Sequence, residues 1–181
     1  LRLIPNLDVW RPADVVETFA AWEAALESTK TPSVLALSRQ GLVAHERDGN
    51  QLSAISRGGY VLVDAPNPQA ILIASGSEVE LIVSAAKLLS DEGIPVRVVS
   101  MPCMDRFTQQ NQQWRDSVLS PDIKVRLAVE AGSTGLWWKW VGSEGDVIGL
   151  DRFGESAPGP AVYEHFGFTA GNIAQRVKDL M

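Results

Sequence analysis

The thirty residues AILIASGSEVELIVSAAKLLSDEGIPVRVV, Ala70 to Val99, decide the fold. Ala70-Ile71-Leu72-Ile73-Ala74 is a continuous apolar run, the pattern of a strand buried on both faces. Gly76-Ser77 interrupts it. Ser77 with Glu80 three residues later matches a capping box, and Val79, Ile82, Val83, Ala86 and Leu89 then recur at helical spacing. Gly93 stops the helix, Pro95 prevents its return, and Val96-Arg97-Val98-Val99 is a second strand. Strand, helix and strand within thirty residues form a βαβ unit, whose crossover between parallel strands is right-handed.

Downstream, Val125–Val129 and 147–150 read as further strands, and a Gln-rich stretch between Met101 and Ser120 reads as helix. Trp137, Trp138 and Trp140 fall in a short helix after Gly135. A last helix starts near Thr169, with Ile173, Val177 and Leu180 as its buried face. Upstream, Tyr60-Val61-Leu62-Val63 is a short strand. The Pro66-Asn67-Pro68 turn suits a hairpin-like return from it, which predicts an antiparallel strand. The expectation for 58–181 is an α/β fold: a three-layer α/β/α sandwich around a mostly parallel, mixed five-stranded sheet.

Residues 41–58 differ in composition. The run AHERDGNQ, Ala44 to Gln51, has almost no apolar content, and Arg57-Gly58-Gly59 follows it. This marks a boundary between 1–57 and 58–181, with a short helix near Leu52–Arg57 inside it. Residues 1–57 read as the tail of a second α/β domain. Residues 1–5 look like a strand already under way, and Ser33–Leu37 like a buried one. Between them Val15, Phe19, Trp22 and Leu26 share one helical face, which predicts that face inside and Glu17, Glu23 and Glu27 in water.

A net charge of −6 over 181 residues argues against a general nucleic-acid or membrane-surface binder, since both need a basic face. No apolar stretch approaches the ~20 residues of a spanning helix, and the start shows no basic signal region. The single cysteine, Cys103, excludes an internal disulfide or a cysteine zinc cluster and suits a reducing, cytoplasmic compartment.

Candidate chemistry is sparse. Arg39 lies just past the carboxyl end of a buried strand, where open α/β sheets place ligands. It reads either as a bidentate phosphate grip or as half of a structural ion pair. The Ser75-Gly76-Ser77 turn reads as an anion site or, more simply, as a helix cap; a lone glycine is no dinucleotide fingerprint. Glu130 at a strand end is either catalytic or a cap for the next helix. Asp105 and Asp151 are lone loop acids, His45 and His165 are too far apart in sequence for a metal or triad pattern, and Cys103 reads as filler of a half-buried loop. No nucleophile–base pair or metal set emerges.

Several runs in order resemble the carboxyl-terminal part of the transketolase family. They are Leu3-Ile4-Pro5-Asn6, Trp10-Arg11-Pro12, Leu37-Ser38-Arg39-Gln40, Arg57-Gly58-Gly59-Tyr60, Ala74-Ser75-Gly76-Ser77-Glu78, Val98-Val99-Ser100-Met101-Pro102, and Phe153-Gly154-Glu155-Ser156 through Phe166-Gly167-Phe168-Thr169. The resemblance implies the end of a pyrimidine-binding domain, 1–57, and a whole C-terminal domain, 58–181. It implies an intact cytoplasmic homodimer of the pentose phosphate pathway that moves a two-carbon ketol unit between sugar phosphates. That enzyme would use thiamine diphosphate with Mg or Ca. It further implies an amino-terminal portion carrying the cofactor machinery, so this piece alone should bind no cofactor and be inactive. Arg39 would contact the substrate phosphate. No role is implied for Cys103, and no ligand for the turn at Gly76. Against this stand a free-standing anion-binding, regulatory or dimer-stabilising module, and the C-terminal part of another thiamine-diphosphate enzyme.

Overall fold

The computed structural model describes residues 1–181. The Ala70–Val99 unit forms as its sequence predicts: strand β4 (Ala70–Ala74), helix α3 (Glu78–Asp91) and strand β5 (Val96–Ser100), with β4 and β5 parallel. Before it in the chain come β1 (Asp8–Trp10), α1 (Val15–Glu27), β2 (Ser33–Leu35), α2 (Gly49–Ala54) and β3 (Tyr60–Val63). After β5 come α4 (Met104–Gln109), α5 (Gln112–Val118), β6 (Val125–Val129), α6 (Trp138–Val141), β7 (Asp146–Ile148), α7 (Gly159–His165) and α8 (Ala170–Leu180).

The large sheet has the order β3-β5-β4-β6-β7, parallel throughout except for β3. β4 lies at its centre, and all five of its residues are buried because helices cover both faces. Its side chains alternate between two cores. Ala70, Leu72 and Ala74 face the core shared with Val79, Ile82 and Leu89 of α3 and Ile173 and Val177 of α8. Ile71 and Ile73 face Phe107, Trp137 and Trp140 on the other side.

Several expectations change. β3 is antiparallel, but its partner is β5, not the β4 that follows it in sequence; the 64–69 turn passes the end of β5 instead of closing a hairpin. Residues 1–5 are not a strand. They form a turn (Ile4 N–H donates to Leu1 C=O at 2.9 Å) with Leu1, Leu3 and Ile4 exposed, and extended pairing begins only at Asp8. β1 and β2 make a two-stranded parallel sheet whose second strand is only half-buried. The 41–58 segment is no free linker, since Ala54 and Ile55 enter the large core.

Helix α1 is turned opposite to its hydrophobic pattern. Val15, Phe19, Trp22 and Leu26 are exposed, whereas Glu17, Ala21 and Ala24 are buried. Ala21 and Ala24 allow close approach to Trp10 and Cys103, so Cys103 is fully buried in a small core at the junction, not in a half-buried loop. Gly58 shapes the same junction. Its φ of +85° is a glycine conformation, and a Cβ there would sit 2.2 Å from the carbonyl oxygen of Cys103.

Candidate functional site

All three central strands of the large sheet end in polar residues, and residues 1–17 close over each of them. β5 ends at Ser100, whose hydroxyl donates to Glu17 Oε1 at 2.6 Å. β4 runs into Ser75 and β6 into Glu130, and the Ser75 hydroxyl donates to Glu130 Oε2 at 3.1 Å. Over this pair lie two arginines from the first part of the chain. Arg11 Nη1 is 2.6 Å from Glu130 Oε1 and 2.8 Å from Glu78 Oε2, and Arg2 Nη1 is 3.2 Å from Glu130 Oε2. Tyr163 donates its hydroxyl to the other oxygen of Glu78. Burial alone would lower the Arg11 guanidinium, but Glu130 and Glu78 hold it above its ordinary value.

A second cluster lies beside it at the start of α1. Asp14 caps the helix by accepting from Glu17 N–H at 3.0 Å, and its other oxygen accepts from His45 N–H at 3.0 Å and from Arg47 Nη1 at 2.7 Å. These donors outweigh burial and hold the Asp14 carboxyl below the usual range. Glu17 is wholly buried, yet its oxygens accept from Ala13 N–H, Ser100 and Tyr60 at 2.6–2.7 Å, with Arg47 Nη2 at 3.5 Å. Burial still pushes Glu17 upward, and burial beside Glu17 pushes the Tyr60 hydroxyl up too. Arg47 also donates to Tyr60 Oη at 2.7 Å and to His45 C=O at 2.8 Å.

That cluster pins a strap. From Ala36 to Asp48 the chain has no helix or strand. Ala36 N–H donates to Trp10 C=O at 2.8 Å at one end, and Arg47 and His45 hold the other end on Asp14. Between the pins stands Arg39, exposed and in neither hydrogen bond nor ion pair. It faces a cavity of about 1020 Å³ between the strap and α7, whose other walls include Leu81, Pro158, Tyr163 and Phe168. The ion-pair alternative for Arg39 therefore has no partner in this structure. An uncommitted guanidinium on a largely apolar wall suits one dianionic group, gripped by two parallel N–H bonds.

The remaining candidates are structural. Ser77 stands at the N-cap position of α3, but its hydroxyl caps no backbone N–H and the expected capping box with Glu80 does not form; the hydroxyl turns to Glu78 at 2.8 Å and Tyr163 at 2.9 Å. Glu130 caps no helix; it holds Arg11, Arg2 and Ser75. Asp151 accepts from the Thr134 hydroxyl, the Thr134 N–H and Ser133 within 2.7–2.9 Å, and these donors hold its carboxyl low. Asp105 sits in the first turn of α4. His45 Nε2 lies 3.6 Å from Glu80, and His165 packs edge-on against Phe166. Burial pushes the Cys103 thiol up to about 12, which leaves it protonated and unreactive. No three His, Cys, Asp or Glu side chains stand close enough to share a metal ion. Arg2, Arg11, Glu17, Arg47, Tyr60 and Glu78 were not legible as a polar network, because many of their partners lie far along the chain, Glu130 being 128 residues from Arg2; the only local signals were the runs that contain Arg11, Tyr60 and Glu78.

Fold and site together define a two-part α/β protein, a doubly wound sheet closed at its strand ends by a βαβ piece, beside a cavity with one free cation. Two family models match it in that order: transketolase, pyrimidine binding domain, over residues 1–43, and transketolase-like TK C-terminal domain over residues 58–169. The chain belongs to the transketolase family. It is 52% identical over 181 residues to the plasmid transketolase of Cupriavidus necator, covering 100% of this chain and 27% of that protein. It superimposes with a TM-score of 0.92 on a transketolase from Pichia stipitis solved with sedoheptulose-7-phosphate, at 41% identity, covering 99% of this chain and 26% of that one. A split-gene transketolase described as an inactive β4 tetramer aligns with a TM-score of 0.74 at 25% identity, covering 99% of this chain and 59% of that one. The chain thus spans about a quarter of the length of the full transketolases it matches.

Proposed function

We propose that the chain is the carboxyl-terminal part of a transketolase and that Arg39 grips the phosphate of its sugar substrate. The whole enzyme transfers a two-carbon ketol unit from a ketose phosphate to an aldose phosphate, with chemistry supplied by thiamine diphosphate and a divalent metal, Mg or Ca. The division falls at 57/58, between the end of a pyrimidine-binding domain and a C-terminal domain. The enzyme acts in the cytoplasm as a homodimer. No helix of the chain is long and apolar enough to cross a membrane.

The buried carboxylates of this chain are not free to hold that cofactor's metal. Asp8, Asp14, Glu17, Glu78 and Glu130 are each engaged by an arginine of the same chain, and no metal-sized cluster accompanies them. The cofactor's contacts belong to polypeptide outside this sequence. The exposed stripe Val15, Phe19, Trp22 and Leu26 is where further polypeptide, from the same chain or the second subunit, would cover α1.

The observation that carries the reading is Arg39, uncommitted on the cavity wall and held in place by a strap pinned at both ends. A phosphate remote from the reacting carbonyl supplies binding energy that orients the substrate. Losing one charge-assisted contact costs about 1.5–3 kcal/mol, or roughly 10–150-fold. Arg39→Ala in the intact enzyme should raise KM for phosphorylated sugars by that factor and change KM for unphosphorylated analogues little. Equal effects on both would remove Arg39 from the phosphate site. The isolated 181-residue chain should show no ketol transfer with saturating thiamine diphosphate and magnesium; measurable turnover would overturn the assignment of the cofactor site to other polypeptide.

A further inference from the structure

We propose that the crevice between the carboxyl ends of β4 and β6 is a guanidinium socket, filled by Arg11 and flanked by Arg2, through which the large sheet seats the β1–α1 segment. This goes beyond the phosphate role of Arg39 and does not depend on it.

The position comes from topology. The connection leaving β4 runs to β5 on one side, and the connection leaving β6 runs to β7 on the other. Between such strands an open α/β sheet leaves a crevice outside its carboxyl ends, the usual place for a ligand in this architecture. Here Ser75 follows one strand and Glu130 the other, and Gly76 opens the turn into α3.

The chemistry of the walls selects a cation. Glu78 is fully buried and the Glu130 side chain is 9% exposed, and both lie within 2.8 Å of the same guanidinium nitrogen. An anion drawn to the start of α3 would meet two carboxylates in a poorly solvated space. Two unneutralised buried carboxylates would also be costly, so the crevice requires positive charge to be stable. Arg11 supplies it with one nitrogen, since Nη1 reaches Glu130, Glu78 and Ser75 Oγ within 3.2 Å.

The shape of the crevice fits a flat group. Gly76 has a φ of +61°, and a Cβ there would lie 3.1 Å from Cζ and Nη2 of Arg11. The guanidinium therefore lies against bare backbone. The main chains join as well: Gly76 N–H donates to Arg11 C=O at 2.9 Å, and Arg11 N–H donates to Pro102 C=O at 2.8 Å. Arg2 adds a bond to Ser75 Oγ at 3.0 Å and stacks near the Trp137 ring. A lysine has the charge without the flat guanidinium face that lies against Gly76. The strand-end crevice that in other α/β proteins takes a free ligand is here an internal receptor for a side chain of the preceding segment.

Chemical rescue tests this directly. Arg11→Ala removes the atoms of ethylguanidinium and leaves the socket empty. In the 181-residue chain its thermal midpoint should fall by roughly 6 °C or more. Millimolar ethylguanidinium should then restore roughly half of that fall in a saturable manner, while ethylammonium at equal concentration should not. Adding Glu130→Gln to Arg11→Ala should abolish the rescue. If Arg11→Ala does not fold, Arg11→Lys serves: it keeps the charge, and the Gly76 amide should exchange at least tenfold faster than in the unmodified chain. The proposal is overturned by rescue equal with both amines, by no rescue of a folded Arg11→Ala, or by unchanged Gly76 exchange in Arg11→Lys. It is also overturned if inorganic phosphate shifts the Ser75 and Gly76 amide resonances of the unmodified chain.

Discussion

Replacing Arg47 by methionine tests how far buried charge holds the two parts of the chain together. The Arg47 side chain is 1% exposed and its carboxylate partners, Asp14 and Glu17, are both 0% exposed. Methionine keeps most of the aliphatic volume and removes every donor. Asp14 then loses its 2.7 Å partner, Glu17 its only nearby cation, and the His45 carbonyl its bond from Nη1. Breaking a buried pair by removing one member costs about 3–5 kcal/mol, because the remaining charge is left uncompensated. For a chain of this size that is a fall in thermal midpoint of roughly 6–20 °C at neutral pH. The pH dependence carries the sharper sign. In the native chain the Asp14 carboxyl is held below its ordinary value. Its contribution is therefore present above the unfolded value and lost as pH falls through the folded one. Without Arg47 the carboxyls of Asp14 and Glu17 both rise, and a group raised in the folded state favours folding at low pH. The deficit of Arg47→Met should therefore shrink as pH is lowered from 7 towards 5. Thermal or urea unfolding of both chains across that range measures it. A loss below about 1 kcal/mol, as for an exposed pair, or a deficit independent of pH would refute the argument.

Two further outcomes follow from burial. Cys103 should stay unmodified by a thiol-specific disulfide reagent at pH 8 in the native chain and react at once in denaturant, because its fully buried thiol is pushed up to about 12; fast native modification would contradict the packing of Trp10, Ala21 and Ala24 around it. Phe19→Ser with Trp22→Ser should leave the unfolding midpoint of the 181-residue chain within about 0.5 kcal/mol, since both side chains are already more than half exposed, and should reduce its self-association by light scattering; marked destabilisation would show that they pack within this chain.

The helix at 15–27 shows where the reading of residues stopped. Its apolar spacing marked a helix with one face meant for burial, and that face exists. Spacing cannot say which body covers it. In the chain the alanines and Glu17 turn inward, because small side chains let α1 approach Cys103, and the buried carboxylate finds three partners far along the chain, Tyr60, Ser100 and Arg47, besides the nearby Ala13 N–H. The strand at 1–5 failed for a related reason, since apolar residues alone make no strand where no neighbour offers a ladder.

The βαβ unit, the parallel core strands and the terminal helix were determined by the sequence alone, because their signals repeat every two or three to four residues and need no distant partner. The place of Arg39 past a strand's carboxyl end was legible from position, and its proposed role from the runs around it, whereas its exposure came from the structure. Only the tertiary structure decided that β3 pairs with β5, that Glu17 lies inside, and that Glu130 receives Arg11. Those outcomes depend on groups far apart in the chain whose mutual charge and geometry are expressed only once the sheet has brought them within about 3 Å.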